Sequence, residues 1–233
     1  MPISIIKEYI DKHIKQDKPD LIFLTGSRSL NYNNDKSDID LCVIGQYTKD
    51  DLEDATHDFT FITKYPSNFL KFNFEIEYET IENLNLKFND LLNFTLWKFQ
   101  NAKLLYGTAE EYNKLKLHID QRIAKYTMVW LCHHSKNIIK NIGDAQEKEF
   151  KIHKSWEYLI KLVFLINNKA IPIDRWLIKE YKKLPWQPKG LLSNKNIKSK
   201  DIKYLLSLHN KIFQKIEKNK LIPQKDLIYI SNN

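Results

Sequence analysis

Residues 21–41 read LIFLTGSRSLNYNNDKSDIDL, and this stretch contains the main features from which the fold can be predicted. It begins with a continuous apolar run, Leu21 to Leu24, which is typical of a buried strand, and Gly26 then indicates a turn. A polar segment rich in asparagine follows, and the chain becomes apolar again from Asp38 to Ile44. We therefore predict two strands that are joined by a turn-rich connection.

Two carboxylates lie at the start of the second predicted strand. Because successive side chains of a strand point to opposite faces, Asp38 and Asp40 are predicted to share one face, while Ile39 and Leu41 point into the core. Two carboxylates so close together repel each other unless a cation lies between them. Magnesium prefers oxygen ligands and removes that cost. The pair is therefore a candidate magnesium site.

The turn at Gly26 and Ser27 supplies the second part of this candidate site. Glycine lets the backbone approach a ligand closely, and helix-terminal amides with a serine hydroxyl can hold the phosphates of a nucleoside triphosphate. Arg28 and Lys36 flank the turn-rich segment and are candidates for phosphate contacts, although such residues are more often plain surface charges. Phosphoryl or nucleotidyl transfer needs a phosphate clamp and metal ions that bridge the attacking and leaving oxygens.

Residues 72–79 alternate with a period of two, which predicts a further strand. One face is apolar, and the other has three glutamates: Glu75, Glu77 and Glu79. Glu75 is the first candidate, and Glu77 the second, for a third carboxylate that binds metal or takes the proton of an acceptor hydroxyl. The alternative is an exposed sheet surface without a catalytic role.

The rest of the first half is predicted to flank these strands with helices. Apolar residues at helical spacing indicate a helix from Ile3 to Ile14. Thr48 to His57 is typical of a short helix, and Phe59 to Thr63 is a candidate third strand. From Thr80 to about Lys103 the pattern is helical again.

From Thr108 onward the pattern is helical throughout. Thr108 and Glu111 form a capping box, which predicts a helix start. Longer helices are predicted at 119–142, 148–168 and 201–217, with a shorter one around Trp176. The predicted fold class is α+β: a small mixed β-sheet domain with flanking helices over residues 1–107, followed by an all-α helical-bundle domain over residues 108–233.

The two halves have opposite charge. Residues 1–107 contain 12 Lys/Arg and 17 Asp/Glu, whereas residues 108–233 contain 25 Lys/Arg and 12 Asp/Glu. An acidic half suits cation binding, and a basic half suits a phosphate-rich ligand such as nucleotide or RNA. Within the basic half, Lys161 lies among apolar residues, where a lysine is costly unless it meets an anion. Lys161 is therefore a candidate for a nucleotide phosphate contact, while a lysine-rich coding bias would explain the charge equally well.

Composition excludes several classes of protein. There is no apolar run long enough to span a bilayer, and the N-terminus has no signal-peptide core. Cys42 and Cys132 lack the spacing of a metal or redox site and are predicted to be reduced core residues. We therefore expect a cytoplasmic protein with no membrane partner.

The spacing of Gly26-Ser27 and Asp38-Ile39-Asp40 resembles the signature of the DNA polymerase beta-like nucleotidyltransferase superfamily. The resemblance covers roughly residues 20–80. It implies that Gly26 and Ser27 bind the triphosphate of an NTP, by default ATP. It also implies that Asp38 and Asp40 bind two magnesium ions, and that Glu75 is a third ligand or general base.

The layout further resembles bacterial enzymes that adenylylate aminoglycosides and lincosamides, which also have a catalytic α/β domain followed by a helical domain. Many members of the superfamily have a second glycine between the serine and the aspartates. Here that segment contains Asn31, Asn33 and Asn34, and asparagine can adopt the same turn.

The resemblance implies transfer of a nucleoside monophosphate, by default AMP, from an NTP to an acceptor hydroxyl. A small molecule such as an antibiotic is the first candidate acceptor. The alternatives are tRNA, which fits the basic half, a protein, as in toxin–antitoxin systems, and a non-catalytic nucleotide-binding regulatory module. The sequence predicts no oligomeric state.

Overall fold

The protein was analysed as a computed structural model that describes residues 3–34, 36–47, 68–141, 145–192 and 202–232. The chain forms two compact units. The first comprises Met1–Phe88 with Thr95–His118, and the second comprises Asn89–Phe94 with Ile119–Asn233. The predicted elements at Thr48–His57 and Phe59–Thr63 lie outside the described residues.

The first unit is built on a mixed five-stranded sheet with the order β3-β4-β2-β1-β5. Its strands are β1 (Leu21–Leu24), β2 (Ile39–Ile44), β3 (Asn68–Phe69), β4 (Phe72–Glu79) and β5 (Lys103–Gly107). Strand β1 pairs antiparallel with β2 and β5, whereas β2 pairs in parallel with β4. The apolar run, the Asp-x-Asp segment and the glutamate strand are therefore brought side by side.

The helices in the described part of this unit are α1 (Ile3–Tyr9), α2 (Gly26–Ser29), α3 (Ile81–Lys87), α4 (Thr95–Gln100) and α5 (Ala109–Asn113). Helix α1 continues through a π turn and a 3-10 turn to Asp17, which agrees with the predicted first helix. The helix start predicted at Thr108 is confirmed, since its side chain caps α5 by accepting a hydrogen bond from the Glu111 amide.

One face of the sheet is the core that the alternation predicted. Ile39 and Leu41 of β2 and Ile76 of β4 are buried against α1. Tyr9 stacks on Phe74 with ring centroids 3.8 Å apart. The opposite face contains Asp40, Cys42 and the three glutamates, because alternate residues of a strand point to opposite sides.

The regular secondary structure among the described residues of the second unit consists of helices joined by turns and loops. Its helices are α6 (Gln121–Lys140), α7 (Ala145–Ile166), α8 (Asp174–Tyr181), α9 (Ile202–Lys218) and α10 (Gln224–Asn232). Asp120 caps α6 by accepting hydrogen bonds from the amides of Arg122 and Ile123. Helices α7, α9 and α10 pack against α6. The predicted α+β fold class, with a sheet domain followed by a helical one, is confirmed.

Three regions differ from the sequence prediction. The helical segment predicted from Thr80 to about Lys103 is two short helices, α3 and α4, which are separated by turn and loop residues 88–94. Residues 103–107 form strand β5, where the sequence predicted only the end of a helical segment and of the first half. The strand is largely exposed, so it lacks the apolar alternation of a core strand. Helix α10 was not predicted, because its isoleucines and tyrosine have only modest helix propensity and obscure the helical spacing of its apolar residues. No helix in the described ranges is both long and apolar enough to cross a membrane.

Candidate active site

The backbone of Gly26 lies directly against the carboxylate of Asp40. Thr25 follows β1, and its amide donates a 2.8 Å hydrogen bond to the carbonyl of Asp40. Gly26 then has φ +65°, a left-handed conformation that favours glycine. A Cβ at this position would lie 1.8 Å from Oδ2 of Asp40. The backbone of Gly26 therefore approaches Asp40 closely, while the triphosphate contact predicted for Gly26 stays a prediction.

The turn after Gly26 is closed by its own hydrogen bonds. Ser29 Oγ donates to the Gly26 carbonyl at 2.9 Å, and the Tyr32 amide donates to the Ser27 carbonyl at 2.8 Å. Asn31 has φ +58°, so an asparagine does adopt a left-handed turn in this segment, as predicted. Ser27 is half-buried next to Gly26.

Arg28 is buried and donates hydrogen bonds to the segment that precedes Asp40. Its Nε lies 3.1 Å from the Ser37 carbonyl oxygen and 2.9 Å from that of Asp38, and its Nη2 also donates to the Ser37 carbonyl. The Phe72 ring lies 5.8 Å from the guanidinium carbon. The alternative of a plain surface charge is therefore wrong for Arg28, because only 9% of the residue is exposed.

Lys36, the other flanking base, is exposed. Its amide donates to Asn34 Oδ1 at 2.9 Å, and the Asn34 amide donates to Ser37 Oγ at 2.9 Å. These local bonds hold the turn just before the aspartates. A phosphate contact of Lys36 stays a prediction.

Asp40 and Glu75 lie directly opposite each other on neighbouring parallel strands. Adjacent strands are about 4.8 Å apart, so both carboxylates emerge side by side from the same face of the sheet. Asp40 is half-buried and Glu75 is exposed. Asp38 is half-buried one residue before β2 begins at Ile39, so strand alternation does not fix its side chain on the face of Asp40.

Glu77 is engaged by a lysine. Glu77 forms a mostly buried ion pair with Lys98 of α4, and their side chains are 14% and 19% exposed, respectively. Burial is the largest influence on the pKa of Lys98 and lowers it, but the charge and the hydrogen bond of Glu77, together with the influence of Cys42 and Asp40, raise the pKa overall. Glu79 is likewise buried and pairs with Lys87. The alternative of an exposed glutamate face is therefore wrong for Glu77 and Glu79.

The two cysteines are free and buried, as predicted. Cys42 lies opposite Glu77 in the register of β2 and β4. Burial raises the pKa of the Cys42 thiol well above its usual value, and the charge of Glu77 raises it further. A neutral, inert thiol is expected at this position.

The donor set of the candidate site suits magnesium in kind. Carboxylate oxygens from Asp40 and Glu75 meet on one face, and these are the ligands that hard cations prefer. In the described part of the chain, however, no three His, Cys, Asp or Glu side chains are grouped as a metal site. Strand pairing therefore brings together two of the three predicted residues, Asp40 and Glu75, and it does not fix the side chain of Asp38, which precedes the strand.

Lys161, in the second unit, meets an anion that the protein itself provides. Its Nζ lies 2.5 Å from Glu157 Oε1 and 3.8 Å from Asp174 Oδ1. Lys154 also pairs with Glu157, at 2.9 Å. The inward position of Lys161 therefore has a sufficient structural explanation, and a phosphate contact stays a prediction without support from this geometry.

Lys98 is the site residue that sequence reasoning missed. It lies in the run Leu96-Trp97-Lys98-Phe99, where its three neighbours are buried. A single lysine inside an apolar helical run is costly unless it is paired. That pattern was available in the sequence, but its partner on β4 follows only from the fold.

The sequence matches no protein-family model and no curated protein. Among solved structures, it is similar to a nucleotidyltransferase-like protein from Exiguobacterium sibiricum 255-15, with 11% identity and a TM-score of 0.48 over 91% of this chain and 77% of that one. It is also similar to spectinomycin adenyltransferase AAD(9) from Enterococcus faecialis, solved with ATP and spectinomycin, with 15% identity and a TM-score of 0.38 over 89% and 98%. Both are of the class that the sequence resemblance predicted.

Proposed function

We propose that the protein is a magnesium-dependent nucleotidyltransferase that transfers a nucleoside monophosphate, by default AMP from ATP, to an acceptor hydroxyl. The observation that supports this most is the placement of the Gly26 backbone against Asp40, with Glu75 directly opposite Asp40 on the parallel neighbour. A glycine turn and two carboxylates from different strands suit a site for a triphosphate and a cation.

Each group has a role in this proposal. The backbone at Gly26 and the hydroxyl of Ser27 bind and orient the triphosphate. Asp38, Asp40 and Glu75 hold magnesium, which would neutralise the charge of the phosphates. The acceptor oxygen attacks the α-phosphorus, the bond to the β-phosphate oxygen breaks, and pyrophosphate leaves. Glu75, the exposed carboxylate, is the group we assign to take the acceptor proton.

The acceptor is proposed to be a small molecule, such as an antibiotic, bound with help from the helical half at residues 108–233. The sequence resemblance to antibiotic-modifying enzymes supports this choice. The excess of basic residues in that half favours RNA as the second candidate, because neutralisation of phosphates dominates RNA affinity.

Calorimetric titration of ATP tests the site itself. The wild type is expected to bind ATP at least about tenfold more tightly with magnesium than with EDTA, because the cation joins the carboxylates to the phosphates. The double variant Asp38→Ala/Asp40→Ala should lose this difference, while the exposed Asp11→Asn keeps it. A wild type that binds ATP equally well with and without magnesium would overturn the proposal.

Incorporation of label from α-labelled ATP into mixed antibiotics, total RNA and protein tests the acceptor. A labelled small molecule is the expected outcome, and it must be absent with Asp40→Ala. A labelled RNA band would instead establish the second candidate. Magnesium-dependent ATP binding without label in any pool would favour a non-catalytic regulatory module.

A further inference from the structure

Arg28 joins the glycine turn to the aspartate segment. It belongs to α2, the helix that Gly26 begins, and its guanidinium donates three hydrogen bonds to two carbonyls nine and ten residues later. Those carbonyls belong to Ser37 and Asp38, which lie just before β2. The contact therefore spans the whole turn-rich connection.

The geometry of these bonds needs a guanidinium. Nε contacts both carbonyl oxygens while Nη2 contacts that of Ser37, so the donors form a rigid fork. A lysine ammonium is a point charge on a flexible stem and cannot reproduce this pattern. A buried charge is also costly unless it is hydrogen-bonded. The guanidinium of Arg28 meets this need by donating to backbone carbonyls, which constrains the side chain strongly.

The effect of the contact is to set the position of the carboxylates. The carbonyl of Asp38 is one residue from Ile39 and two from Asp40, whose own carbonyl receives the Thr25 amide. The aspartate segment is thus held to the glycine turn at both ends, by Thr25 at Asp40 and by Arg28 at Asp38 and Ser37. Without the second attachment, Asp38 would be held only through its chain neighbours, with β2 on one side and the Asn34–Ser37 turn on the other.

We propose that Arg28 is a positioning residue, which holds the Ser37–Asp38 segment against the glycine turn through their carbonyls, rather than a phosphate ligand. The consequence for nucleotide binding rests on the proposed function. The mechanical part, that Arg28 holds residues 36–40 in place, does not depend on that function. The two parts can therefore fail separately.

Amide hydrogen exchange in the full chain without nucleotide tests the mechanical part. Arg28→Met and Arg28→Lys are compared with the exposed Arg122→Lys, and thermal unfolding confirms that each is folded. In both Arg28 variants, exchange in residues 36–40 should rise at least about tenfold, while β4 stays protected, because local opening follows loss of local contacts. Unchanged exchange in both variants would overturn the inference.

Calorimetry with ATP separates positioning from phosphate contact. Both Arg28 variants should bind ATP in EDTA within about twofold of wild type and lose the magnesium-dependent gain, because only the carboxylates have moved. If Arg28→Met weakens binding in EDTA and Arg28→Lys restores it, Arg28 is a phosphate ligand and the inference is wrong. A wild type without any ATP binding would remove the proposed function, and hydrogen exchange would still decide whether Arg28 holds the segment.

A measurement on the wild-type protein tests the inference without relying on any variant to fold. The Nε–H resonance of Arg28 should be protected from solvent exchange before any ligand is added, because it is buried between two carbonyls. Addition of ATP and magnesium should leave this Nε–H protected, with its chemical shift essentially unchanged. Rapid exchange in the absence of ATP, with protection only on its addition, would contradict the inference.

Discussion

Gly26 and Asp40 are so close that a methyl group added to Gly26 would overlap the Asp40 carboxylate, at 1.8 Å from Oδ2 and 2.5 Å from Cγ. Gly26 begins the connection two residues after β1, and Asp40 is the second residue of β2, so the contact joins the ends of two neighbouring strands. The turn therefore determines where this carboxylate can lie.

Substitution Gly26→Ala should remove magnesium-dependent ATP binding while the protein still folds. The new Cβ forces the Asp40 side chain away, and the left-handed backbone adds a cost of about 1–2 kcal/mol for alanine. Calorimetry and thermal unfolding measure the two effects. Gly190→Ala, also at positive φ, is the control for backbone strain, and it should keep the binding. Wild-type binding by Gly26→Ala would contradict the contact.

The two candidate third carboxylates should respond in opposite ways to substitution by glutamine. Glu75 is exposed opposite Asp40, so Glu75→Gln should change the free energy of unfolding by less than about 0.5 kcal/mol yet abolish the magnesium-dependent gain in ATP binding. Glu77 is occupied by Lys98, so Glu77→Gln should destabilise the fold and retain most of that gain. The reverse pattern would assign the third carboxylate to Glu77.

The strands that form the site could be predicted because each has a strong local pattern. The alternation of residues 72–79 predicted β4 with its bounds, and the apolar run predicted β1. The register could not be predicted, since nothing in either segment indicates which residue of β4 lies opposite Asp40. The sequence therefore could not indicate which of Glu75 and Glu77 lies opposite Asp40.

The burial and the partners of individual charged residues could not all be predicted either. Arg28 and Lys36 have similar sequence surroundings, yet one is buried against two carbonyls and the other is exposed. Lys161 was correctly expected to need an anion, and Glu157, one turn earlier on its own helix, supplies it; this i, i+4 pair is a local pattern that could have been predicted. Propensity and periodicity describe neighbours along the chain, whereas pairing partners depend on packing.

The ion pair of Glu77 and Lys98 should stabilise the first unit as a coupled pair. Removing one partner leaves a mostly buried charge alone, so Lys98→Met and Glu77→Gln should each lower the free energy of unfolding by about 3 kcal/mol. The double variant should lose less than the sum of the two, because no charge is left unpaired. Urea unfolding of the four proteins gives the coupling energy. Strict additivity would show that the two side chains do not interact.

Buried His209 should make the protein less stable in mild acid. Burial lowers its pKa, although a hydrogen bond of Nε2 to the Cys132 carbonyl at 3.1 Å partly opposes this. The folded state therefore favours the neutral ring, and unfolding takes up a proton below the ordinary pKa of about 6.5. The contribution of neutral His209 to the free energy of unfolding is therefore fully present above the ordinary pKa. It is lost as the pH decreases through the lower pKa of the folded state.

Thermal unfolding between pH 7 and pH 5 measures this effect. The decline of Tm should be smaller in His209→Gln, which keeps an amide donor for the Cys132 carbonyl but does not titrate. The exposed His153→Gln should decline like the wild type. An unchanged pH dependence in His209→Gln would show that acid destabilisation arises elsewhere.

Asn31 should tolerate glycine and reject a β-branched residue. Its φ of +58° suits asparagine and glycine, whereas valine in this conformation costs roughly 1–2 kcal/mol. Asn31→Gly should therefore keep stability within about 0.5 kcal/mol of wild type and bind ATP with magnesium unchanged. Asn31→Val should lose stability, and also affinity, because the adjacent bond from the Tyr32 amide to the Ser27 carbonyl closes the turn at the site. Urea unfolding and calorimetry on both variants check this, and wild-type behaviour of Asn31→Val would mean that the left-handed turn is not required.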